Sequence, residues 1–378
     1  MKTFLSRPST DSHSPPRYTP QQEVELARLD STSTAPPPYG DEEDQANAPP
    51  TAGTFHPTVH FQIQTTGKPW LSLPLPQKPE PIPIYALQPT DTALTTAGQT
   101  PQLTSIRPER SSGSCYLTTT TTDPTVGDTT ASTTTYRFGP NRPPIVRLFS
   151  PHSAPLTPAA RNHLLFAKDK DATTTTSPEN DGGSGGGEDH GAWDVFTVDS
   201  LGLLTRAVGF RTRRLGTFRW RYAGRKERHA FAAAAAAAAA GEGGLGGLHE
   251  AGVGEVASLL VLERVVRVAT DLSGSSSSAS GSKGKGGKGS GEEEVCTVVA
   301  QFVRGEGCRT PGSGASAAGN GGRLVMDLGV WEAGDVKVER EMAVLMVVTT
   351  CLVMLKREVD RRRAQQIAIM AGAAGGGS

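Results

Sequence analysis

Four cysteines in 378 residues (Cys115, Cys296, Cys308 and Cys351) are too few and too scattered to staple a fold. None forms a C-x-x-C pair, and none is accompanied by histidines at zinc spacing, so the chain encodes neither a disulfide framework nor a zinc module. Net charge is missing as well. The 38 basic residues balance 38 acidic ones, and no global field selects nucleic acid or membrane. There is no N-x-[ST] acceptor site, and the opening residues MKTFLSRPSTD contain no apolar signal-peptide core. Together these absences point to a reducing, cytoplasmic setting in which thiols stay free.

The usual marks of catalysis are missing too. The eight histidines form no H-E-x-x-H pattern, and outside the Gly/Ser-rich stretches there is no G-x-S-x-G elbow. A G-x-G-x-x-G match at 284–289 lies in a Ser/Gly/Lys stretch with no helix after it, and no Gly-Lys pair is followed by the Ser or Thr of a P-loop. Cys351 falls within an apolar run, where burial leaves a thiol inert. The expectation is a non-enzyme with no catalytic residue, no metal and no cofactor.

Glycine (44) and proline (28) make up about a fifth of the chain, so much of its length is tail and loop around one domain. Residues 1–52 are rich in Pro, Ser, Thr and acids and too poor in large apolar side chains to offset their ordering entropy; they read as a disordered tail. Residues 53–363 read as the domain, interrupted by low-complexity insertions at 118–135, 169–191, 232–254, 273–291 and 305–322. Residues 364–378 read as a flexible C-terminal tail.

Within the domain, short runs of strand character alternate with turn residues. The sequence predicts strands at Thr58–Gln64, Pro83–Leu87, Gln102–Ile106, Ser114–Leu117, Tyr136–Phe138, Ile145–Phe149, Trp193–Val198, Leu201–Thr205, Thr217–Tyr222, Ser258–Ala269, Val295–Arg304 and Leu324–Leu328. In Thr217–Tyr222, Phe218, Trp220 and Tyr222 face one way and Arg219 and Arg221 the other. Then comes Met342–Leu355, MAVLMVVTTCLVML, fourteen residues without a charge, preceded by acids and followed by bases as a helix dipole favours. As a helix it is about 21 Å long, short of a hydrocarbon core of about 30 Å, and it is apolar on every side. Many short strands and one helix that must be buried all round fit a mainly β fold: a closed antiparallel barrel of about 12 strands with the helix inside. The rival expectation uses 342–355 as a short membrane anchor with cytoplasmic flanking bases.

The WDV strand, LGTFRWRY, the VAQFV strand, RLVMDLGVW and the apolar helix running into KREVDRRRAQQ resemble the tubby C-terminal-like family in the form found in fungal proteins. The resemblance spans roughly Phe55 to Arg363. It implies a twelve-stranded barrel around a central hydrophobic helix, and it brings in phosphoinositide-binding tubby proteins, phospholipid scramblases and LURP-one-related proteins as relatives.

Two features carry functional expectations. Pro15-Pro16-Arg17-Tyr18 and Pro36-Pro37-Pro38-Tyr39 both match P-P-x-Y, whose prolines preset a polyproline II helix for the aromatic groove of a WW domain. The candidate WW-binding residues are therefore Pro15, Pro16, Tyr18, Pro36, Pro37 and Tyr39. The copies are 21 residues apart, a flexible span of about 25 Å that suits tandem WW domains such as those of HECT-class ubiquitin ligases. The second feature is basic. Between Trp193 and Arg228, nine bases stand against three acids. Arg211, Arg213, Arg214, Arg219, Arg221, Arg225, Lys226 and Arg228 are the candidates for contact with anionic phosphoinositide headgroups at a membrane periphery, with the hairpin after Tyr222 extending the face. The alternative is a solvated outer barrel face balanced by acids on neighbouring strands. No RNP-like motif accompanies the arginines, so nucleic acid is not an expected partner.

Overall fold

The computed structural model of the chain describes residues 55–375 except 77–78, 89–90, 92–95, 97, 121–127, 138–141, 151–155, 167–190, 203–204, 241–255, 270–291 and 332–335. Among them are thirteen strands: β1 (Val59–Ile63), β2 (Ile82–Leu87), β3 (Leu103–Ile106), β4 (Cys115–Thr119), β5 (Thr129–Thr135), β6 (Ile145–Phe149), β7 (Ala192–Thr197), β8 (Asp199–Ser200), β9 (Val208–Thr212), β10 (Gly216–Tyr222), β11 (Ser258–Ala269), β12 (Glu292–Arg304) and β13 (Gly322–Met326). Three α-helices accompany them: α1 (Pro158–Phe166), α2 (Arg225–Ala240) and α3 (Val336–Gly375).

The strands form one antiparallel meander. From β1 to β7 and from β8 to β13 each strand pairs with its chain neighbour, and β13 pairs back onto β1. The remaining seam is spanned by continuity of the chain: β7 pairs with β6, Val198 follows, and β8 then pairs with β9. One bent strand thus brings the sheet to a nearly closed barrel. Phe196 of β7 stacks on Phe210 of β9 at 5.2 Å, and Phe210 on Phe218 of β10 at 5.4 Å. The buried Asp194 carboxylate accepts hydrogen bonds from Val195 N (2.8 Å) and from Arg213 N (3.0 Å) in the β9–β10 turn, fastening the same seam.

Met342–Leu355 lies in the core that this wall surrounds. Every strand except β8 contributes to the cluster containing it, and of its fourteen residues only Val344 is more than marginally exposed. A segment apolar on all sides needs apolar surroundings on all sides, and the inward residues of the meander supply them. Its two threonines are satisfied inside: Ser132 and Thr349 share a hydrogen bond of 2.8 Å, while Trp220 Nε1 donates to Thr350 Oγ1 at 3.0 Å. Burial pushes the Cys351 thiol well above its ordinary pKa. Among the described residues no helix is long and apolar enough to cross a membrane.

Several expectations need correction. Of residues 118–135, read as low-complexity insert, 118–119 end β4 and 129–135 are β5. Threonine is β-branched and packs well on a pleated sheet, and at the end of the strand Thr135 Oγ1 donates to Leu164 O at 3.0 Å. Residues 305–322, read as linker, include the buried stretch 317–322. There the glycines permit close approach: a Cβ on Gly321 would lie 2.2 Å from Ile63 O, and Gly319, at φ +69°, faces Leu355 O. Residues 225–228 open a helix rather than turning a hairpin, and 232–240 of the alanine-rich insert continue it. Helix α3 runs on through Gly375, into the stretch read as flexible tail. Tyr136 and Arg137 are not strand, nor are the described residues of 201–205, whereas β8 and β9 lie on either side of the latter segment. The insertions 169–191 and 273–291, like residues 1–52, lie outside the described residues apart from Gly191.

Candidate functional site

An antiparallel meander collects alternate strand ends at each rim. One rim carries the ends of β1, β3, β5, β10 and β12 and the starts of β2, β4, β6, β11 and β13. Helix α3 leaves the barrel there after Leu355, and its side chains turn from apolar to charged.

At the centre of this mouth Arg304, the last residue of β12, meets Glu358 of α3. The two guanidinium nitrogens donate to the two carboxylate oxygens at 2.7 and 2.6 Å. Arg304 also donates to Asn320 Oδ1 (3.0 Å) and Ser258 Oγ (3.2 Å), while Glu358 accepts from Tyr222 OH and from Gly319 N (3.0 Å). Burial alone would raise the Glu358 carboxyl, but the Arg304 guanidinium and the converging donors hold it below the usual range. Burial, and then the same carboxylate, push the Tyr222 phenol upward.

Beside this pair is a hollow of about 420 Å³ lined by Arg206, Arg228, Arg304, Arg309, Arg361 and Arg362, with Glu358 as its one acid among the described residues. On the other side of α3 a second hollow of about 280 Å³ is lined by Arg107, Arg110, Arg137, Lys356 and Arg363 around Asp360. Asp360 binds Lys356 Nζ at 2.5 Å and Arg363 Nη1 at 3.2 Å, and Lys356 Nζ lies 4.3 Å from the centre of the Tyr136 ring. Gly113, at φ +69°, makes room for that lysine, since a Cβ would stand 2.7 Å from its Cε. Eleven bases against two acids make the mouth strongly cationic. Guanidinium forks presented in a partly enclosed hollow match the geometry of phosphate and carboxylate groups.

The eight basic residues nominated from sequence do not form one surface. Arg211, Arg213 and Arg214 sit at the β9–β10 turn on the opposite rim, exposed, with Arg214 stacked 5.1 Å over Trp193. Arg219 and Arg221 lie on the outer wall, where both reach the buried Glu263 of β11, at 2.8 and 2.7 Å. Arg221 also forks onto Glu227 of α2 at 2.7 and 2.8 Å, and this bond, partly opposed by burial, raises its pKa. These two arginines are the acid-balanced outer face that the sequence offers as the alternative. Arg225, Lys226 and Arg228 open α2 at the mouth, and of the eight Arg228 alone lines either of these two hollows. The seven residues of β10, about 23 Å of strand, separate the two ends.

The bases after the apolar helix, Lys356 and Arg361–Arg363, read from sequence as helix-end charge, and their partners at the mouth are spread from Arg107 to Arg309 with no local run to join them. The available signal is positional: many of them lie just outside a predicted strand or just beyond the apolar helix. The residues Pro15, Pro16, Tyr18, Pro36, Pro37 and Tyr39 lie outside the described residues. His56 and His60 have the four-residue spacing of a helical metal pair, but the extended chain between them holds them about 13 Å apart. Among the described residues no group of three potential ligands could hold a metal. Compared with known proteins, the chain matches no family model, no curated protein and no solved structure.

Proposed function

We propose that this protein is a non-enzymatic cytoplasmic adaptor of the tubby-like kind. Its barrel mouth contacts anionic, phosphoinositide-containing membrane surfaces, and its N-terminal tail recruits WW-domain proteins, with HECT-class ubiquitin ligases the natural partners. The observation carrying the membrane half is the arginine-lined mouth on both sides of α3. Each base brought near an anionic surface contributes on the order of 1 kcal/mol. The core filled by α3 supports a binding role over a ligand-cavity enzyme, because the helix takes the space a substrate would need. The two P-P-x-Y copies support the tail's role.

Co-sedimentation with vesicles tests the first half: the full chain pellets with phosphoinositide-containing vesicles at low salt and is released at high salt. Equal recovery on neutral vesicles rejects it. For the tail, Tyr18→Ala combined with Tyr39→Ala abolishes capture by a tandem WW domain, and unchanged capture rejects the motif reading.

A further inference from the structure

Of the eleven large apolar side chains that stand exposed among the described residues, seven gather at this mouth: Trp70, Leu71, Leu73 and Leu75 of the β1–β2 loop, and Ile367, Ile369 and Met370 of α3. Leu71 is 93% exposed, Leu73 69% and Leu75 57%, so these side chains project from the surface rather than cover it. The loop that carries them is nevertheless firmly held. Lys68, buried beside it, donates from Nζ to Leu73 O (2.6 Å) and Leu75 O (3.4 Å). Gln366 Nε2 donates to Trp70 O at 2.6 Å, Arg110 Nε donates to Pro76 O at 2.7 Å, and the Arg362 guanidinium lies 4.4 Å over the Trp70 ring. Met370 is one turn beyond Gln366 on the same face of α3, about 6 Å farther out, with Ile369 beside it.

This is an unusual way to use a loop. The carbonyls of Trp70, Leu73, Leu75 and Pro76 are occupied by internal donors, and Pro69, Pro74 and Pro76 have no N–H to satisfy, so part of its backbone demand is met without water. The apolar tips stand between the two arginine-lined hollows, to which Arg110, Arg362 and Arg363 belong. Apolar projections ringed by cations match the interfacial zone of an anionic bilayer, where side chains enter the acyl boundary and bases meet headgroups.

We infer that Trp70–Leu75, together with Ile367, Ile369 and Met370, is a membrane-inserting tip that docks the barrel mouth-down on anionic lipid. The inference rests on the proposed membrane function and adds its orientation and its apolar anchor. Leu71→Ser, Leu73→Ser and Leu75→Ser combined in the full chain remove the tip without touching the core, which an unchanged melting temperature verifies. Binding is measured on phosphatidylcholine vesicles with and without phosphatidylserine and phosphatidylinositol bisphosphate. The triple variant is expected to lose at least fivefold in partitioning onto the anionic vesicles. With Cys115→Ser and Cys296→Ser in place, a solvatochromic dye on Leu73→Cys shifts to the blue on those vesicles, while one on Arg213→Cys, at the opposite rim, does not. A loss below fivefold with an unshifted dye overturns the tip while the membrane function stands. Failure of the unaltered chain to bind any anionic vesicle overturns both. A wild-type dimer that the triple variant converts to monomer, with vesicle binding unchanged, assigns the patch to a second copy and overturns the tip as well.

Discussion

Arg219 and Arg221 on the barrel wall and Arg361 and Arg362 at its mouth are the same chemistry in opposite surroundings. The wall pair faces Glu263, Glu227 and Glu294 on neighbouring elements, and its charge is answered locally. The mouth pair stands in a hollow whose one acid, Glu358, is already taken by Arg304. An arginine count cannot separate the two cases. What separates them is which residues the strand register places opposite: on the wall, β10 and β11 put Arg219 directly across from Glu263. At the mouth the opposing groups are other arginines.

That contrast can be broken in several places. The largest effect belongs to Glu358→Ala, which leaves Arg304 buried without its counter-charge and costs about 3–5 kcal/mol in chemical denaturation. Glu358→Leu combined with Arg304→Met recovers most of that loss, because an apolar pair needs no charge balance. Next comes His60, buried on β1 near Arg323 and lowered to about 4 by burial and then by that arginine. Below pH 6.5 the unfolded chain takes up a proton that the folded chain refuses. Stability therefore falls between pH 6.5 and pH 4, by roughly 2–3 kcal/mol in all, and His60→Gln flattens that slope. Glu263→Ala on the wall costs less, about 1–2 kcal/mol, because Arg219 and Arg221 are partly solvated and Glu227 remains. A cost equal to that of Glu358→Ala would erase the distinction between wall and mouth. Arg361→Glu with Arg362→Glu changes stability least, within about 1 kcal/mol, yet lowers anionic-vesicle binding at least tenfold. Arg219→Glu on the wall leaves vesicle binding unchanged.

The parts of this fold that bury apolar side chains in a regular pattern are legible in the sequence. Ile145–Phe149 and Ser258–Ala269 are found with their bounds, and Met342–Leu355 is identified as a helix needing enclosure. Strand β5 is hidden because a run of threonines looks like low complexity, although each side chain is stiff at Cβ and suited to a sheet. Glycines at 319 and 321 are ambiguous from composition, since a flexible linker and a tight backbone approach call for the same residue. The mouth is the least legible region. Arg107, Arg206, Arg304 and Arg362 come to one rim only when the meander aligns its strand ends, an arrangement that depends on register rather than on any local pattern. The loop KPWLSLPLP reads as a proline-broken connection until Lys68 and Gln366 are seen to fasten it.

All of this depends on α3 being sealed within the strands up to Leu355 and leaving them only at the mouth. The most direct check is alkylation of the native thiols in the unaltered chain, mapped by mass spectrometry and followed over increasing denaturant. Cys296, half-buried on the wall, is modified in the native protein, whereas Cys351 reacts only at the rate at which the whole barrel unfolds. A Cys351 modified as fast as Cys296 in the absence of denaturant would contradict the enclosed helix.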